Sequence, residues 1–417
     1  MKFVELSSED FDQWIKKLGK SNHLQSIDMA HLKEKRGRKI HFVGLEDDHH
    51  QVLEAALLAA LPTRVGKAYE IEGWLPSSAE NSETVSAFLK ALQTYVKNNG
   101  GISLLIKPDV PYVVTDVRGE NPKFQNESLI EIFQKAGYSY HKLDLRPEFA
   151  GFDWNYKKYL KGVDPSKPEK SYLKGAQQSL KQAHHYPTVV REITGLEEMP
   201  RFYACYEKTC HRLGISPKEY IYFEQVYQTM GDRAQFILAE IDFKAYQEKL
   251  QNRRQVLKEE LDALEADLAL NPNSRKKNNQ HREILSQYEA QGKRLVDAKE
   301  WIDQATEEKT VLAVALFIIS PYELTYLYSG SNEEYSLINA PHLIQDQTIR
   351  LALDKKIPVY NFLGISEPFD ENNGLFRFKV SFNGYAERTM GTFTWSPHPT
   401  FLKVYEKVKR LLGRYDN

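Results

Sequence analysis

The sequence is poor in cysteine and lacks any long apolar run. Only two cysteines, Cys205 and Cys210, occur among 417 residues, which is typical of a protein from a reducing compartment. Their spacing within a helical pattern favours packing rather than metal binding. The longest apolar run ends at Ile319 and is too short to span a bilayer, and no basic segment followed by an apolar stretch opens the chain. We therefore expect a soluble protein of the cytoplasm.

Charge of one sign does not predominate. The formal net charge is -1, so contact with a nucleic acid or a membrane would have to come from a local patch. The hydrophobic share of 41% and the charged share of 27% are ordinary for a globular protein. The length of the chain favours two or three domains.

Common motifs for binding metals and nucleotides are also missing. The pairs His49-His50 and His184-His185 lack the spacing and the companion carboxylates of a metal site. No segment forms a G-x-G-x-x-G pattern or a phosphate-binding loop. The acyl-CoA fingerprint, in which glutamine or arginine precedes glycine-x-glycine or glycine-x-alanine before a helix, is absent too. We therefore expect neither a metal nor a resident cofactor.

The most regular feature is a heptad pattern between Lys244 and Glu308. It recurs at alternating steps of four and three in two halves, which predicts two helices with one apolar side each. Pro272 cannot continue the first helix, and Ser274 can cap the second. The sequence thus predicts an antiparallel coiled-coil arm whose helices have about 25 residues and a length of about 38 Å each. The repeating positions are Leu250, Arg254, Leu257, Leu261, Leu264 and Leu268, then His281, Ile284, Tyr288, Gln291, Leu295, Ala298, Ile302 and Ala305.

Three short apolar runs flank this arm, at residues 235–241, 311–319 and 324–328. Their length and composition predict buried strands. Consecutive strands usually lie side by side, so we predict that the arm is inserted between neighbouring strands of one sheet. A spacer or a dimerisation surface is the alternative interpretation of the arm.

The remaining pattern divides into two similar units of helices and strands. Residues 1–146 form the first, with a predicted strand hairpin at 40–45 and 52–61. The second starts at residues 147–243, is interrupted by the arm at 244–308, and continues through 309–417 to a closing helix. A single strand is predicted at 386–393. The pattern therefore predicts an α+β fold of two domains, the second of which is split by the arm.

Three segments, together with the position of the arm, resemble one known family. They are Leu24-Gln25-Ser26 with the helix that follows to Lys33, residues 360–366 (YNFLGIS) and residues 376–382 (FRFKVSF). Their order over nearly the whole chain resembles the Fem-type aminoacyltransferases of Gram-positive bacteria, the FemA-, FemB-, FemX- and MurM-like enzymes. The resemblance implies two GNAT-like domains with a shared cleft and, as in FemA-like members, a coiled-coil arm.

The resemblance also implies a reaction and its partners. The family moves an amino acid from aminoacyl-tRNA, as co-substrate, to the stem-peptide amine or growing branch of a peptidoglycan precursor. Such an acceptor is lipid-linked, as in lipid II, or UDP-linked. A lipid-linked acceptor implies a cytoplasmic enzyme in transient contact with the inner face of the membrane.

Four site residues follow from the resemblance. Phe378 and Lys379 match the phenylalanine–lysine pair that the family has beside its transfer site. Lys33 falls at the position of a lysine that contacts the nucleotide-sugar or lipid-linked acceptor. Lys218 lies near an arginine of similar role, although lysine lacks the bidentate fork of arginine.

The chain departs from the family pattern at two places. Lys107 precedes Pro108 where many relatives have an aspartate, which puts a carboxylate base at that position in doubt. Residues 177–180 (QQSL) dilute a helix that is usually basic, which weakens an expected contact with tRNA or acceptor phosphates.

The reaction itself needs few groups. The attacking amine has a reference pKa of about 10.4 and must lose a proton. The ester carbonyl oxygen gathers negative charge, which a fixed cation or backbone donors stabilise. We predict Lys379, on a strand between Phe378 and Val380, as the cation for that oxygen or for the terminal phosphate of the tRNA. The alternative is a strand-edge lysine that faces water, and no residue is predicted as the base.

Two further groups of residues are candidates for binding. Tyr328 and Tyr360 lie at predicted strand ends, where they could line a substrate cleft or pack in the core. Basic residues at the tip of the arm form a candidate tRNA contact or a solvated end; they are Arg275, Lys276, Lys277 and Arg282. Two other functions stay open: an acyl-CoA-dependent N-acyltransferase, and a non-catalytic tRNA- or envelope-binding protein that works through the arm.

Overall fold

The computed structural model describes residues 1–77, 82–142, 153–365 and 369–411. In chain order the strands are β1 (Lys2–Glu5), β2 (Lys39–Glu46), β3 (Val52–Thr63), β4 (Gly66–Trp74), β5 (Gly101–Pro108), β6 (Pro111–Thr115), β7 (Lys123–Phe124), β8 (Ser139–His141), β9 (Trp154–Tyr159), β10 (Val189–Glu192), β11 (Ala234–Ile241), β12 (Thr310–Ile319), β13 (Glu323–Ser331), β14 (Val359–Ile365), β15 (Tyr385–Thr389) and β16 (Thr392–Trp395). The α-helices are α1 (Ser8–Leu18), α2 (Ile27–Lys35), α3 (Ser82–Asn98), α4 (Glu127–Lys135), α5 (Lys174–Ala183), α6 (Met199–Leu213), α7 (Tyr220–Met230), α8 (Phe243–Leu270), α9 (Arg275–Gln304), α10 (Ala340–Asp354), α11 (Gly374–Val380) and α12 (Pro399–Leu411).

The first sheet has seven strands in the order β1-β2-β3-β4-β5-β16-β8. Helix α3 covers it, because Val85, Phe88 and Leu92 recur on one side of that helix and are buried. Strand β4 was not predicted. It pairs antiparallel with β3 and parallel with β5, and its alternation of apolar with charged residues hides it from a search for apolar runs.

The second sheet has nine strands in the order β10-β11-β12-β13-β14-β9-β15-β6-β7. Strands β11 and β12 are antiparallel neighbours, so the helical arm connects adjacent strands of this sheet. On one side the sheet packs against α10 and α5, and on the other against α6 and α7. No helix in these described ranges is long and apolar enough to cross a membrane.

Helices α8 and α9 form the arm and pack side by side. Leu257, Leu261, Leu264 and Ile284 bury their side chains between them, as the heptad pattern predicts. Two cross-helix pairs run along the arm, from Lys277 to Asp267 at 2.7 Å and from His281 to Glu265 at 3.2 Å. At its base, Phe243 and Trp301 pack with a centroid separation of 5.3 Å and join the core of the second sheet. Supercoiling of the two helices stays a prediction.

The two sheets exchange strands. Strands β6 and β7 follow β5 in the chain but join the second sheet beside β15. Strand β16 joins the first sheet between β5 and β8. The prediction of one strand at 386–393 is therefore wrong: β15 and β16 belong to different sheets, and Gly391, with φ of +97°, allows the turn between them. The predicted boundary between residues 146 and 147 lies outside the described residues.

The segment around Lys379 is a helix. Its alternation of apolar and polar residues predicted a strand, and that prediction is wrong. The side chain of Asn373 caps α11 by accepting a hydrogen bond from the Phe376 backbone N–H at 3.0 Å. Phe376 and Lys379 are three residues apart on this helix and are both buried, so tertiary packing and the cap override the two-residue period.

Strands β13 and β14 are parallel but separate after a short pairing. Glu323, Leu324 and Thr325 lie opposite residues 359–361, and the ladder ends there. On its other edge β14 has a bulge before Gly364, where Leu363 adopts a φ of +56°. The backbone of Gly364 therefore lies next to a gap between two splayed strands, where a side chain can reach it.

Candidate active site

Lys379 is buried at the splayed end of β14. Its side chain is 6% exposed, and its ammonium group donates a hydrogen bond to the Gly364 carbonyl oxygen at 2.7 Å. Burial lowers the pKa of Lys379 to about 7. The alternative of a lysine that faces water does not hold, because the surroundings of this amine are desolvated.

Phe378 precedes Lys379 on the same helix and is only partly buried. Its ring meets His342 of α10 edge-on at 4.9 Å between centroids, and Phe382 at 5.5 Å. Burial lowers the pKa of His342 to about 4, so the imidazole is neutral at physiological pH. Phe378 therefore belongs to an aromatic wall beside the lysine.

A buried ionic cluster lies at the paired end of the same strands. We call it the Lys157 cluster; it consists of Lys157, Glu323, Asn361 and Glu387. The Lys157 ammonium lies 3.3 Å from the nearest oxygen of Glu323 and 3.0 Å from that of Glu387. The Asn361 amide donates to Glu323 at 2.9 Å. All four side chains are buried.

The pKa values of the three ionisable groups in the Lys157 cluster shift for different reasons. Burial opposes the charge of Lys157, but attraction by Glu323 and Glu387 outweighs it and raises the pKa of the ammonium. Burial also opposes ionisation of Glu323, yet Lys157 and the bond from Asn361 lower the pKa of that carboxyl. For Glu387 burial prevails over the attraction of Lys157 and raises the pKa. Glu387 is thus the carboxylate best suited to accept a proton.

The first sheet contributes a third carboxylate to this region. Asp109, just after β5, accepts a hydrogen bond from the Asn22 amide at 2.7 Å. His23, which follows Asn22, is partly buried, and desolvation lowers its pKa although Glu323 and Asp109 act in the opposite direction. Among the described residues, its Nδ1 has no hydrogen-bond partner. Asp109 therefore places a carboxylate in this region, two residues after Lys107.

Sequence reasoning did not find the Lys157 cluster. Its members lie on four strands that are far apart in the chain, so no spacing rule connects them. The only signal is an acidic residue within an otherwise buried strand pattern, as at Glu323 and Glu387. Strand β14 links this cluster to Lys379, because Asn361 belongs to the cluster and Gly364, three residues further along the strand, accepts the hydrogen bond from Lys379.

Lys33 lies on α2 and is tied to the first sheet. Its ammonium group lies 2.8 Å from Glu70 and 2.5 Å from Glu72, both on the unpredicted strand β4. Arg38 also contacts Glu70 at 3.2 Å. Two cations thus face two carboxylates, and a role of Lys33 in binding acceptor phosphate stays a prediction.

Lys218 and Tyr328 are brought together by helices α6 and α7. The backbone N–H of Lys218 donates to the hydroxyl of Tyr206 at 3.1 Å, and the Tyr206 ring meets Tyr328 at 5.8 Å. Tyr222 lies next to Tyr328 at 5.9 Å. The guanidinium of Arg36, which follows the last residue of α2, lies 5.4 Å from the centre of the Tyr222 ring. Arg36 is the cation of this group that the sequence analysis missed.

Tyr360 and the tip of the arm lie apart from these groups. Tyr360 has no exposed surface, and its hydroxyl donates to Gln345 at 2.6 Å and bonds to Thr348 at 2.7 Å. Tyr360 therefore packs in the core and does not line a substrate cleft. At the tip, Lys277 pairs with Asp267, and three basic residues are exposed; they are Arg275, Lys276 and Arg282. Contact of the tip with tRNA stays a prediction.

Comparison with known proteins identifies the family. A model described as the FemAB family matches residues 6–410. The chain belongs to the FemAB family. The aminoacyltransferase FemA of Staphylococcus epidermidis is 24% identical to this FemAB protein over 432 residues, which covers 99% of this chain and 100% of FemA. The aminoacyltransferase FemB of the same species is 26% identical over 399 residues, or 94% of each chain.

A solved structure shows the same fold. The crystal structure of FemX matches with a TM-score of 0.77 at 18% identity, over 97% of this chain and 99% of that one. The resemblance drawn from the three sequence segments is confirmed, and so is the prediction that this FemAB protein is an aminoacyltransferase. The mixed α+β fold is confirmed as well. The GNAT-like character of its two halves stays a prediction.

Proposed function

We propose that this FemAB protein transfers an amino acid from aminoacyl-tRNA to the stem-peptide amine, or to the growing branch, of a peptidoglycan precursor such as lipid II. The product is part of an interpeptide bridge. One observation carries the proposal. A desolvated lysine that matches the family's phenylalanine–lysine pair bonds Gly364 of β14, three residues beyond Asn361, which belongs to a buried group with an excess of carboxylates.

Lys379 acts on the donor in this proposal. The acceptor amine attacks the ester carbonyl, a C–N bond forms, and the bond to the ribose oxygen of the tRNA breaks. The carbonyl oxygen becomes negative on the way. With a pKa of about 7, Lys379 is partly protonated at neutral pH, and an approaching phosphate or oxyanion favours its charged form. The leaving ribose oxygen takes up a proton.

The Lys157 cluster acts on the acceptor amine. An ammonium group must lose one proton before it attacks. Glu387 has a raised pKa, which makes it a better base than an ordinary exposed glutamate. Lys157 orients this carboxylate from 3.0 Å and holds Glu323 in its ionised form, and Asp109 adds negative charge that attracts the substrate ammonium.

The group around Arg36 suits the phosphate end of the acceptor. Arg36 is the exposed residue that caps the end of α2, Lys218 lies just before α7, and Tyr222 and Tyr328 provide aromatic surface. Guanidinium groups bind phosphate in a bidentate manner, and tyrosine rings stack on nucleotide or sugar rings. This arrangement supports a UDP-linked or lipid-linked acceptor.

The decisive experiment is reconstitution. Purified protein is incubated with a mixture of charged tRNAs and lipid-linked precursor, and the product is weighed by mass spectrometry. We expect a mass gain of one amino acid residue, which ribonuclease treatment abolishes. No mass gain with any charged tRNA removes this function. Release of free CoA from an acyl-CoA donor would support the acyltransferase alternative instead.

A variant pair separates chemistry from folding. Lys158 is a matched control for Lys379, because it too is buried and its hydrogen bonds within the described residues go to backbone carbonyls, those of Ser171 and Asn383 at 3.3 Å and 2.9 Å. Burial lowers its pKa to about 8. We expect Lys379→Met to lower kcat by about 100-fold or more and Lys158→Met to leave kcat nearly unchanged. If the wild type shows no transfer, a Lys379→Ala variant that keeps its biological function intact would support the non-catalytic binding protein.

A further inference from the structure

The last described helix presents an apolar face to solvent. Phe401, Val404 and Val408 are exposed by 47%, 59% and 48%. They are three and four residues apart, so they lie on one side of α12. We call this surface the α12 face. An apolar face on a surface helix normally turns towards the core, and here it does not.

The apolar surface continues onto the neighbouring sheet. A cavity of about 610 Å³ lies between the start of α12 and the beginning of β4 and β5. Its lining includes Val65, Ile102 and Phe401, and Val65 is itself 41% exposed. The Ser396 hydroxyl donates to the Ile102 carbonyl at 2.7 Å, which fixes the start of α12 against the sheet.

Positive charge accompanies the apolar face. Lys403 and Lys407 are exposed on this helix. Residues 399–411 contain four basic residues and one acidic residue, whereas the whole chain has a formal net charge of -1. A helix with an apolar face and a basic polar face is the pattern of segments that lie in the interface of an anionic bilayer.

We propose that α12 docks on the surface of an anionic lipid bilayer. Phe401, Val404 and Val408 insert at the boundary between headgroups and acyl chains, and Lys403 and Lys407 lie among the anionic headgroups. The choice of a bilayer as occupant also rests on the proposed function, because a lipid-linked acceptor is presented there. The basic charge of the helix argues against a second copy, since two such helices would repel each other.

The fold places the reactive groups away from this surface. Val65 and Ile102 lie at the start of β4 and β5, while Trp74 and Asp109 lie at or just beyond their other end. A strand of the length of β5 spans about 26 Å. The amine of a lipid-linked precursor is separated from its lipid by phosphate, sugar and peptide, so a site that stands off the bilayer suits this substrate.

Vesicle binding by the full chain tests the proposal. Vesicles of phosphatidylcholine alone are compared with vesicles that also contain phosphatidylglycerol, and bound protein is measured by flotation. We expect binding only to the anionic vesicles. Replacing Lys403 and Lys407 by glutamine should weaken binding about fivefold each, and Phe401→Ser with Val404→Ser should abolish it. Val296→Ser is the matched control, because Val296 is 60% exposed on the arm.

Three results would overturn the proposal. They are failure to bind anionic vesicles, equal binding by the Phe401/Val404 variant in its folded form, and self-association in sedimentation velocity that this variant abolishes. The last result would make a second copy the occupant. Circular dichroism and thermal unfolding establish that each variant is folded.

A transfer assay separates this proposal from the proposed function. With a water-soluble UDP-linked acceptor, the α12 variants should transfer as the wild type does. With a lipid-linked acceptor in vesicles, they should transfer more slowly. If the wild type shows no transfer, the proposed function is wrong. The flotation experiment then decides by itself whether the α12 face binds a bilayer. Equal transfer by the variants and the wild type on vesicles contradicts the docking proposal and leaves the proposed function intact.

Discussion

The ammonium group of Lys379 donates a hydrogen bond to the carbonyl oxygen of Gly364 at 2.7 Å. This bond exists because β14 leaves its parallel neighbour after Asn361 and bulges away from β9 before Gly364. A buried carbonyl needs a hydrogen-bond donor, and Lys379 supplies one to Gly364. The gap between the splayed strands thus both binds the lysine and lowers its pKa.

The stability contributed at Lys379 depends on pH in a defined direction. Its pKa is about 7 in the folded chain and about 10.4 in the unfolded chain. Between these values the unfolded state holds the proton and the folded state does not, so the folding free energy becomes more favourable as pH rises from 7 to 10. Lys379→Met lacks this effect. The stability advantage of Lys379→Met over wild type should shrink by on the order of 3 kcal/mol over this range in urea unfolding; an equal difference at both pH values contradicts the assignment.

Glu54 should show the opposite pH dependence. Burial raises its pKa to about 7, although it accepts hydrogen bonds from the Ser77 backbone and hydroxyl at 3.0 Å and 2.5 Å. The folded state then binds more protons than the unfolded state between pH 4.5 and 7, so stability falls as pH rises through this window. Glu54→Gln should therefore gain about 2 kcal/mol relative to wild type between pH 5 and pH 8. Denaturant titrations at both pH values measure this gain, and a pH-independent difference would refute it.

The two glutamates of the Lys157 cluster should respond differently to amide substitution. Glu323→Gln removes an ionised partner of a buried lysine and should destabilise the chain by about 3 kcal/mol. Glu387→Gln removes the proposed base and should lower kcat by about 100-fold or more, with little change in the KM for aminoacyl-tRNA. Denaturation and steady-state kinetics distinguish the two effects. A fully active Glu387→Gln enzyme would show that Glu387 is not the base.

Arg36 should matter for binding the acceptor and not for chemistry. Its guanidinium lies over the Tyr222 ring, among the residues proposed to bind the phosphate of the acceptor. Arg36→Gln should raise the KM for the acceptor about tenfold and leave kcat unchanged, as expected for uniform binding. Lys35→Gln, at the exposed last residue of α2 and next to Arg36, is the control and should change neither constant. Equal effects of both substitutions would point to general charge rather than to a specific contact.

Some elements were predictable because their signal is local. The helices of the arm follow from a heptad pattern and a proline between its halves. Strands β11 and β12 follow from apolar runs that are bounded on both sides. The short helix α11 was predicted as a strand, because the alternation of its residues outweighed the capping signal of Asn373. Strand β4 was missed because Glu70 and Glu72 interrupt its apolar pattern, and only the fold shows that they face Lys33.

The amino-acid sequence by itself determined the class of fold, the helical arm, the family and the pair Phe378–Lys379, because each of these depends on neighbours along the chain. Tertiary structure alone decided that Lys379 is desolvated, that Tyr360 belongs to the core and that Lys157 meets Glu323 and Glu387. Those properties depend on strands that are distant in the chain and adjacent in a sheet. Burial and charge pairing change a pKa only after such strands have come together.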